Sequence, residues 1–263
     1  MFANLSNLIR YRGLIWSLVA RDLKARYRGS VLGFFWTFVN PLLLLLVYSF
    51  VFTTIMPNIV PGVQPYALFM FCGILAWNWF SSSLSEAAGS LISGGNLIKK
   101  VLFPAEILPI VSVLANMVNY LLALLILLPT LIYYQRLHLS FNLLWFPVAV
   151  AVQMVFTGAL ALMLSALAVH FRDIRDLLGN ILMLWFFATP IIYPWFQENV
   201  RRFKILFDLN PFTHLAISYQ EILFFGTVGH WKWLLALGVA SIFLFLACYW
   251  LFDRLRDSFA EAV

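Results

Sequence analysis

The residues with most to offer chemically are aromatic and uncharged polar side chains set into long apolar runs. Phe34, Phe38, Pro41, Tyr48 and Phe52 fall on one helical stripe, and Trp36 and Asn40 share a neighbouring one. Asn78, Ser82 and Ser85 recur at helical spacing, as do Phe186, Thr189 and Tyr193. Such faces suit a sugar chain. Aromatic rings stack on the apolar C–H faces of pyranoses, and Asn, Ser, Thr and Tyr exchange hydrogen bonds with hydroxyls. Neither contact grips a neutral polymer so tightly that it cannot slide. The same residue types also serve helix packing, lipid contact and interfacial aromatic belts, so the pattern alone leaves both readings open.

Other chemistry is missing. The centres of the apolar runs hold no Asp, Glu, Lys, Arg or His. Ion-coupled carriers place ionisable groups near the membrane midplane, because those groups bind and release the coupling ion. Membrane enzymes need acid–base or metal-binding residues. His138, His170, His214 and His230 sit at run ends or in connections, which reads as interfacial structure rather than metal ligation. A phosphate-cradling loop needs Gly-Lys after its glycines, and the chain has no such dipeptide; GGNLIKK (94–100) lacks the spacing. Glu86 and Glu106 read as solvated loop charges, which leaves no carboxylate pair for a glycosyl or lipid transferase. An energy source is expected on another chain, and no cofactor or metal on this one.

The elements that carry these residues must be membrane helices. The chain has 263 residues, 63% apolar and 11% charged, against roughly a quarter charged in soluble domains. With a mean hydropathy of +0.92, the surplus apolar surface has to face lipid. A crossing takes about 20 apolar residues, and six segments qualify: 31–56, 66–84, 109–134, 143–169, 180–195 and 231–252. The expected fold is therefore an all-α membrane protein of six spans, read as one transmembrane domain over 1–263. In it, 1–30 is a tail and interface helix, 31–252 the six-span domain and 253–263 a second tail.

The net charge of +6 raises nucleic acid as a partner. The basic residues, however, cluster beside apolar runs, where topology explains them. With a cytoplasmic N-terminus, Arg10, Arg12, Arg21, Lys24, Arg26, Arg28, Lys99, Lys100, Arg172, Arg175, Arg254 and Arg256 fall inside. Arg136, Arg201, Arg202, Lys204 and Lys232 fall outside, and the 201–204 cluster goes against the rule. Six crossings return the C-terminus to the cytoplasm. Cys72 and Cys248 lie in apolar runs and read as buried thiols.

Before the first span, 14–28 is amphipathic: Trp16, Val19, Leu23 and Tyr27 share one face, and Arg21, Lys24 and Arg28 another. Such a helix lies in the membrane interface as an anchor or as a dock for a partner. Asp22 and Arg26 have the i,i+4 spacing of an ion pair. Gly94–Gly95 and Pro104 break the stretch 86–108. Asn210 before Pro211 reads as an N-cap and first helical position. The helix that follows, with Phe212, Leu215, Tyr219 and Ile222 on one face, is too short to span. It is expected in the outer interface or re-entering partway. Ala161 and Ser165 mark a close helix contact.

Five motifs in this order resemble one family: RDLKARYRGSVLGFFWTFVNPLL (21–43), FPAEILP (103–109), HFRDIRDLL (170–178), FFATPIIYP (186–194) and NPFTH (210–214). The chain resembles type-2 ABC transporter permeases, in particular the subgroup exporting O-antigen, capsule and teichoic acid polymers. The resemblance implies a six-span homodimer in the bacterial inner membrane, with ATP and Mg on separate ATPase subunits. It also implies a lipid-linked polysaccharide cargo, commonly on undecaprenyl diphosphate, threaded between protomers. The first and fifth spans would line the conduit. Arg21, Lys24 and Arg28 of the interface helix, with Glu86, Asn96, Lys99 and Lys100, would transmit ATPase closure. Arg172 and Asp173 would lie near the same partner, and the helix from Asn210 and Pro211 through Phe212 and Tyr219 would form an external gate. Teichoic acid or capsule export and drug efflux keep the fold and change the cargo; a secondary carrier or channel is the rival of another class.

Overall fold

A computed structural model describes residues 10–26, 28–56, 62–98, 103–136, 140–171 and 173–262. Lys99, Lys100 and Arg172 lie outside these residues, as does the side chain of Asn96. Among the described residues the chain is helical, without strands.

Five helical segments are long and apolar enough to cross a membrane: Gly33–Ile55, Tyr66–Ser93, Ile107–Tyr133, Phe141–His170 and Trp231–Arg256. Within them we label α2 (Trp36–Phe50), α3 (Tyr66–Ser93), α4 (Ile107–Tyr133), α5 (Trp145–His170) and α8 (Trp231–Ala262); α1 is Arg12–Arg26, α6 is Asp173–Phe187 and α7 is Pro211–Gln220. The chain is a multi-pass membrane protein of the all-α class.

α3 is the central element, buried along most of its length between α4 and α5. Trp79 donates its indole N–H to the Val113 carbonyl of α4, and Gln153 of α5 donates to the Ala76 carbonyl. These bonds satisfy polar groups where water is absent. α5 and α8 pack through small residues: the Gly158 face meets Phe245, and Ala161 and Ser165 are fully buried. Both cysteines are free and buried.

Several boundaries differ from the sequence reading, and α8 runs on to Ala262 rather than stopping near 252, so the expected tail continues the helix. α3 runs on to Ser93 rather than stopping near Leu84. Ser, Glu and Ala continue a helix even where apolarity ends, and the break comes at Gly94, as the glycine pair implies. Glu86 is therefore a helix residue and not a loop charge. Glu106 is not solvated either: it is 2% exposed, at the N-cap of α4, with Arg256 3.9 Å away. The segment expected at 180–195 forms α6, which begins at Asp173 and stops at Phe187. Its 15 residues rise about 22 Å, short of a bilayer core of about 30 Å. Pro190 cannot supply an amide to a continued helix.

α1 buries Ile15, Leu18 and Val19 against Ile107, Val111 and Ala115 at the start of α4. Of the apolar stripe seen in the sequence, Val19 and Leu23 pack on this cluster, whereas Trp16 is 56% exposed. At the other end of the bundle, α7 is capped as the sequence implied: the Asn210 carbonyl oxygen of the side chain accepts from Phe212 N, with Pro211 in the first turn. A further turn, Glu221–Phe225, extends it. Every residue from Phe212 to Phe224 is buried, and Phe212 reaches Trp77 and Phe80 of α3 at 4.8 Å between ring centroids. Trp77 lies about three turns into α3, about 16 Å by helical rise. α7 is thus packed into the bundle beside the first half of α3.

Candidate functional site: a polar and aromatic track on α3

One face of α3 carries Asn78, Ser82, Ser85, Glu86, Gly89 and Ser93 at three- and four-residue steps. Three hollows lie along it. The first, of about 220 Å³, lies between α2, α3 and α4 and is lined by Trp36, Asn40, Asn78, Ser82, Glu86, Asn116, Asn119 and Tyr120, among others. The second, of about 420 Å³, lies between α2, α3 and α6; Tyr48, Trp77, Asn78, Ser81, Ser85 and Phe186 line it. The third, of about 710 Å³, opens beside α1, with Arg21, Asp22, Arg26, Glu86, Ser90, Ser93 and Arg175 in its walls. Asn78 belongs to the first two, Ser85 to the second and third, and Glu86 to the first and third. The three hollows share these walls along one face of α3, a polar track from the α1 end to the middle of the bundle.

At the α1 end the track is held by charge. Arg26 donates to Asp22 and to Glu86, and also to the Asn116 side-chain oxygen at 3.0 Å. Asn116 in turn donates to Glu86 at 2.7 Å. Burial would lower the Arg26 pKa, but the neighbouring Glu86 and Asp22 carboxylates outweigh it and hold the guanidinium above its ordinary value. α1 is thereby tied to both α3 and α4. Towards the other end, aromatic rings follow: Tyr48 and Phe52 lie at 6.4 Å, Phe52 and Tyr66 at 5.2 Å, Tyr66 and Phe69 at 5.8 Å. Such a surface offers hydrogen bonds first and ring faces after. Among the described residues, the polar side chains lining the middle of the track are uncharged.

The structure thus brings Trp36, Asn40, Tyr48, Asn78, Ser82 and Phe186 together, with Phe52 on the adjoining aromatic ladder. Phe34 and Phe38 form an edge-to-face pair at 5.9 Å outside the hollows. Thr189 and Tyr193 do not line the track, because α6 ends before them. Thr189 is fully buried, donating to the Trp185 carbonyl and accepting from Asn210. The Tyr193 hydroxyl donates to the Phe187 carbonyl at 2.7 Å, satisfying one of the free carbonyls at the end of α6. Lys24 and Arg28 lie with Arg21 along another hollow of α1, and Asp173 opens α6, where a carboxylate suits the helix N-terminus. Asn210 joins α6 to α7: Trp185 donates to it at 2.7 Å, and its amide donates to the Ala188 carbonyl and to Thr189. Tyr219 is fully buried, its ring 5.9 Å from that of Tyr120.

Sequence reasoning missed Arg26, Asn116, Asn119 and Arg175 as members of the site. The two asparagines carried a signal, since polar residues inside an apolar run are expected to face protein. The pairing of Arg26 with Glu86, 60 residues apart, carried none.

The sequence profile described as ABC-2 type transporter matches residues 13–224. The chain belongs to the ABC-2 type transporter family. This ABC-2 chain is 41% identical to the O-antigen export system permease protein RfbA of Myxococcus xanthus, over 97% of each chain. It is 30% identical to a protein of the same name from Klebsiella pneumoniae, over 92% of this chain and 91% of the other. To the polysialic acid transport protein KpsM of Escherichia coli it is 22% identical, over 89% and 91%. An ABC-2 chain is the membrane part of a transporter.

Proposed function

We propose that this ABC-2 chain is the permease subunit of an ATP-driven exporter of lipid-linked polysaccharide of the O-antigen kind. The observation that carries the reading is the row of hollows sharing one face of α3, polar from Ser93 to Asn78, with an aromatic ladder beyond. A sliding glycan needs exchangeable hydrogen bonds and ring faces, and a drug pocket would need an enclosed apolar cavity instead. The names of the three relatives above, two of O-antigen export and one of polysialic acid transport, support the same cargo.

In this reading ATP and Mg are held by a separate ATPase subunit, which docks at the end marked by α1 and the segment after Gly94. That end faces the cytoplasm and the membrane is the bacterial inner membrane; α6 and the 188–195 turn together make the sixth crossing, which returns both termini to the cytoplasm. A second copy of the chain closes the track. α2 supports this, with Leu42, Leu43, Leu46, Val47 and Phe50 all exposed beside the hollows, a surface for lipid on one flank and a partner copy on the other. Co-reconstitution with the ATPase in liposomes tests the function: lipid-linked glycan should become accessible on the far side only when ATP is hydrolysed. Glycan movement without the ATPase, or ATP-driven movement of drugs in its place, contradicts the reading.

A further inference from the structure

The basic cluster at Arg201–Lys204 goes against the positive-inside pattern, and the track does not use it. The structure gives it a setting. At the end of the bundle opposite α1, a cavity of about 390 Å³ lies over α7, walled by Trp195, Phe207, Thr213, Ile217 and Trp233, with Arg201 and Lys204 at its rim. That volume falls in the range of ligand pockets, roughly 300–1,000 Å³. Two buried donors belong to its walls, the Trp195 indole N–H and the Thr213 hydroxyl, and neither has a hydrogen-bond partner among the described residues. Thr213 is only 2% exposed, so its unmatched hydroxyl costs stability unless something fills the cavity.

The charges around it are countable. Arg201 and Lys204 are cationic and have no ion-pair partner among the described residues. Asp208 on the same wall is anionic. His230 is neutral at ordinary pH: burial and the neighbouring His214 lower its pKa to about 4. The balance is one positive charge. Immediately beside the cations, Phe203, Ile205, Leu206 and Leu209 are all at least 60% exposed. Basic residues next to bare apolar ones are the pattern of a segment lying at headgroup level, with its side chains in the acyl region.

We propose that this cavity binds the phosphodiester headgroup of an anionic membrane phospholipid. Arg201 and Lys204 meet the phosphate, Trp195 and Thr213 donate to its oxygens, and the acyl chains run over Ile205, Leu206 and Leu209. A diester carries one negative charge, which matches the site, whereas a diphosphate carries more. The bound lipid holds the segment 195–209 against α7. It also accounts for cations on the side of the membrane where the usual bias disfavours them.

The test is binding by the full-length chain in a neutral detergent, followed by native mass spectrometry. Three probes separate the chemistries: dioctanoyl phosphatidylglycerol, dioctanoylglycerol without phosphate, and a polyprenyl diphosphate. Phosphatidylglycerol should bind at least about tenfold tighter than the other two. Arg201→Gln with Lys204→Gln should weaken it about tenfold, the worth of a charge-assisted hydrogen bond. Thr213→Val, which keeps shape and removes the donor, should weaken it about threefold while leaving the elution profile unchanged. Equal binding of dioctanoylglycerol, or binding indifferent to both variants, overturns the proposal. So does tighter binding of the polyprenyl diphosphate, which would assign the cavity to the cargo lipid.

Discussion

Arg26 of the interface helix α1 donates to Glu86 of α3, and both also bond to Asn116 of α4. Three helices meet at one charge, at the end where we expect the ATPase to dock. Motion of α1 cannot leave α3 unaffected while this bond holds, and α3 carries the track.

Glu86→Gln should therefore uncouple hydrolysis from export. The pair is partly exposed, with side chains 22% and 39% accessible, so stability should fall by only about 1 kcal/mol. Export per ATP hydrolysed should fall about tenfold, as read in proteoliposomes with both rates measured. An unchanged ratio removes the coupling role.

Asn78 belongs to two hollows at once, and Asn78→Leu should break the track at its middle. Because Asn78 is exposed, folding should be spared. Glycan translocation should slow at least about tenfold, the worth of one exchangeable contact replaced by an apolar step, and Asn78→Gln should restore much of the rate. Elution of both variants as the native assembly is the control.

Asn210→Ala should act on stability rather than on passage. It removes the α7 cap, worth about 1 kcal/mol, and leaves the Trp185 indole N–H without its acceptor, about 1–3 kcal/mol. The thermal midpoint in detergent should drop by several degrees. Asn210→Asp should lie between, since it keeps the acceptor for Phe212 N and Trp185 and loses the donors to Ala188 and Thr189.

Gly73 faces Ile191 at 3.1 Å and Gln220 at 3.3 Å from where a Cβ would stand. Gly73→Val should force the 188–192 turn and α7 away from α3, at about 1–3 kcal/mol. Chemical unfolding followed by helicity checks this. Gly179 has open space at the same position and serves as the control, its Ala variant being neutral or better.

Acidification should loosen the junction of α7 with α8. His230, with its pKa lowered to about 4 from an ordinary value of about 6.5, is neutral in the folded state. The unfolded chain binds the extra proton between these values, so stability is full above pH 6.5 and declines as pH falls towards 4. His214 at 3.0 Å, the Glu221 carboxylate on the His230 backbone N–H and Asp208 are the groups that face it. Glu221 is raised by burial and titrates in the opposite sense. Thermal midpoints of the wild type and His230→Gln across pH 4–7 should converge at the acid end. Parallel curves contradict the assignment.

The long spans were legible because an unbroken apolar run of bilayer length has few alternatives, and the breaks at Gly94 and Asn210–Pro211 because those residues act through their own backbone. Other features depend on partners. α3 outlasts its apolar run since Ser85–Ser93 are acceptable helix residues with α4 beside them. The buried stripe of α1 is the one α4 can receive, with Val19 on it and Trp16 off it. Thr189 and Tyr193 share a stripe with Phe186 only if the helix continues; it stops at Phe187, and both turn inward to satisfy the chain end. That Asn40, Asn78 and Ser82 share one hollow was legible for the converse reason, polar side chains in an oily helix tending to face protein.

The central claim is that the chain guides a cargo and draws its energy from another subunit. The most direct measurement is translocation of lipid-linked glycan into sealed proteoliposomes, with and without the ATPase and with and without an imposed ion gradient. Transport should require the ATPase and ATP and ignore the gradient. Uphill transport by this chain alone, driven by protons or sodium, would contradict the account.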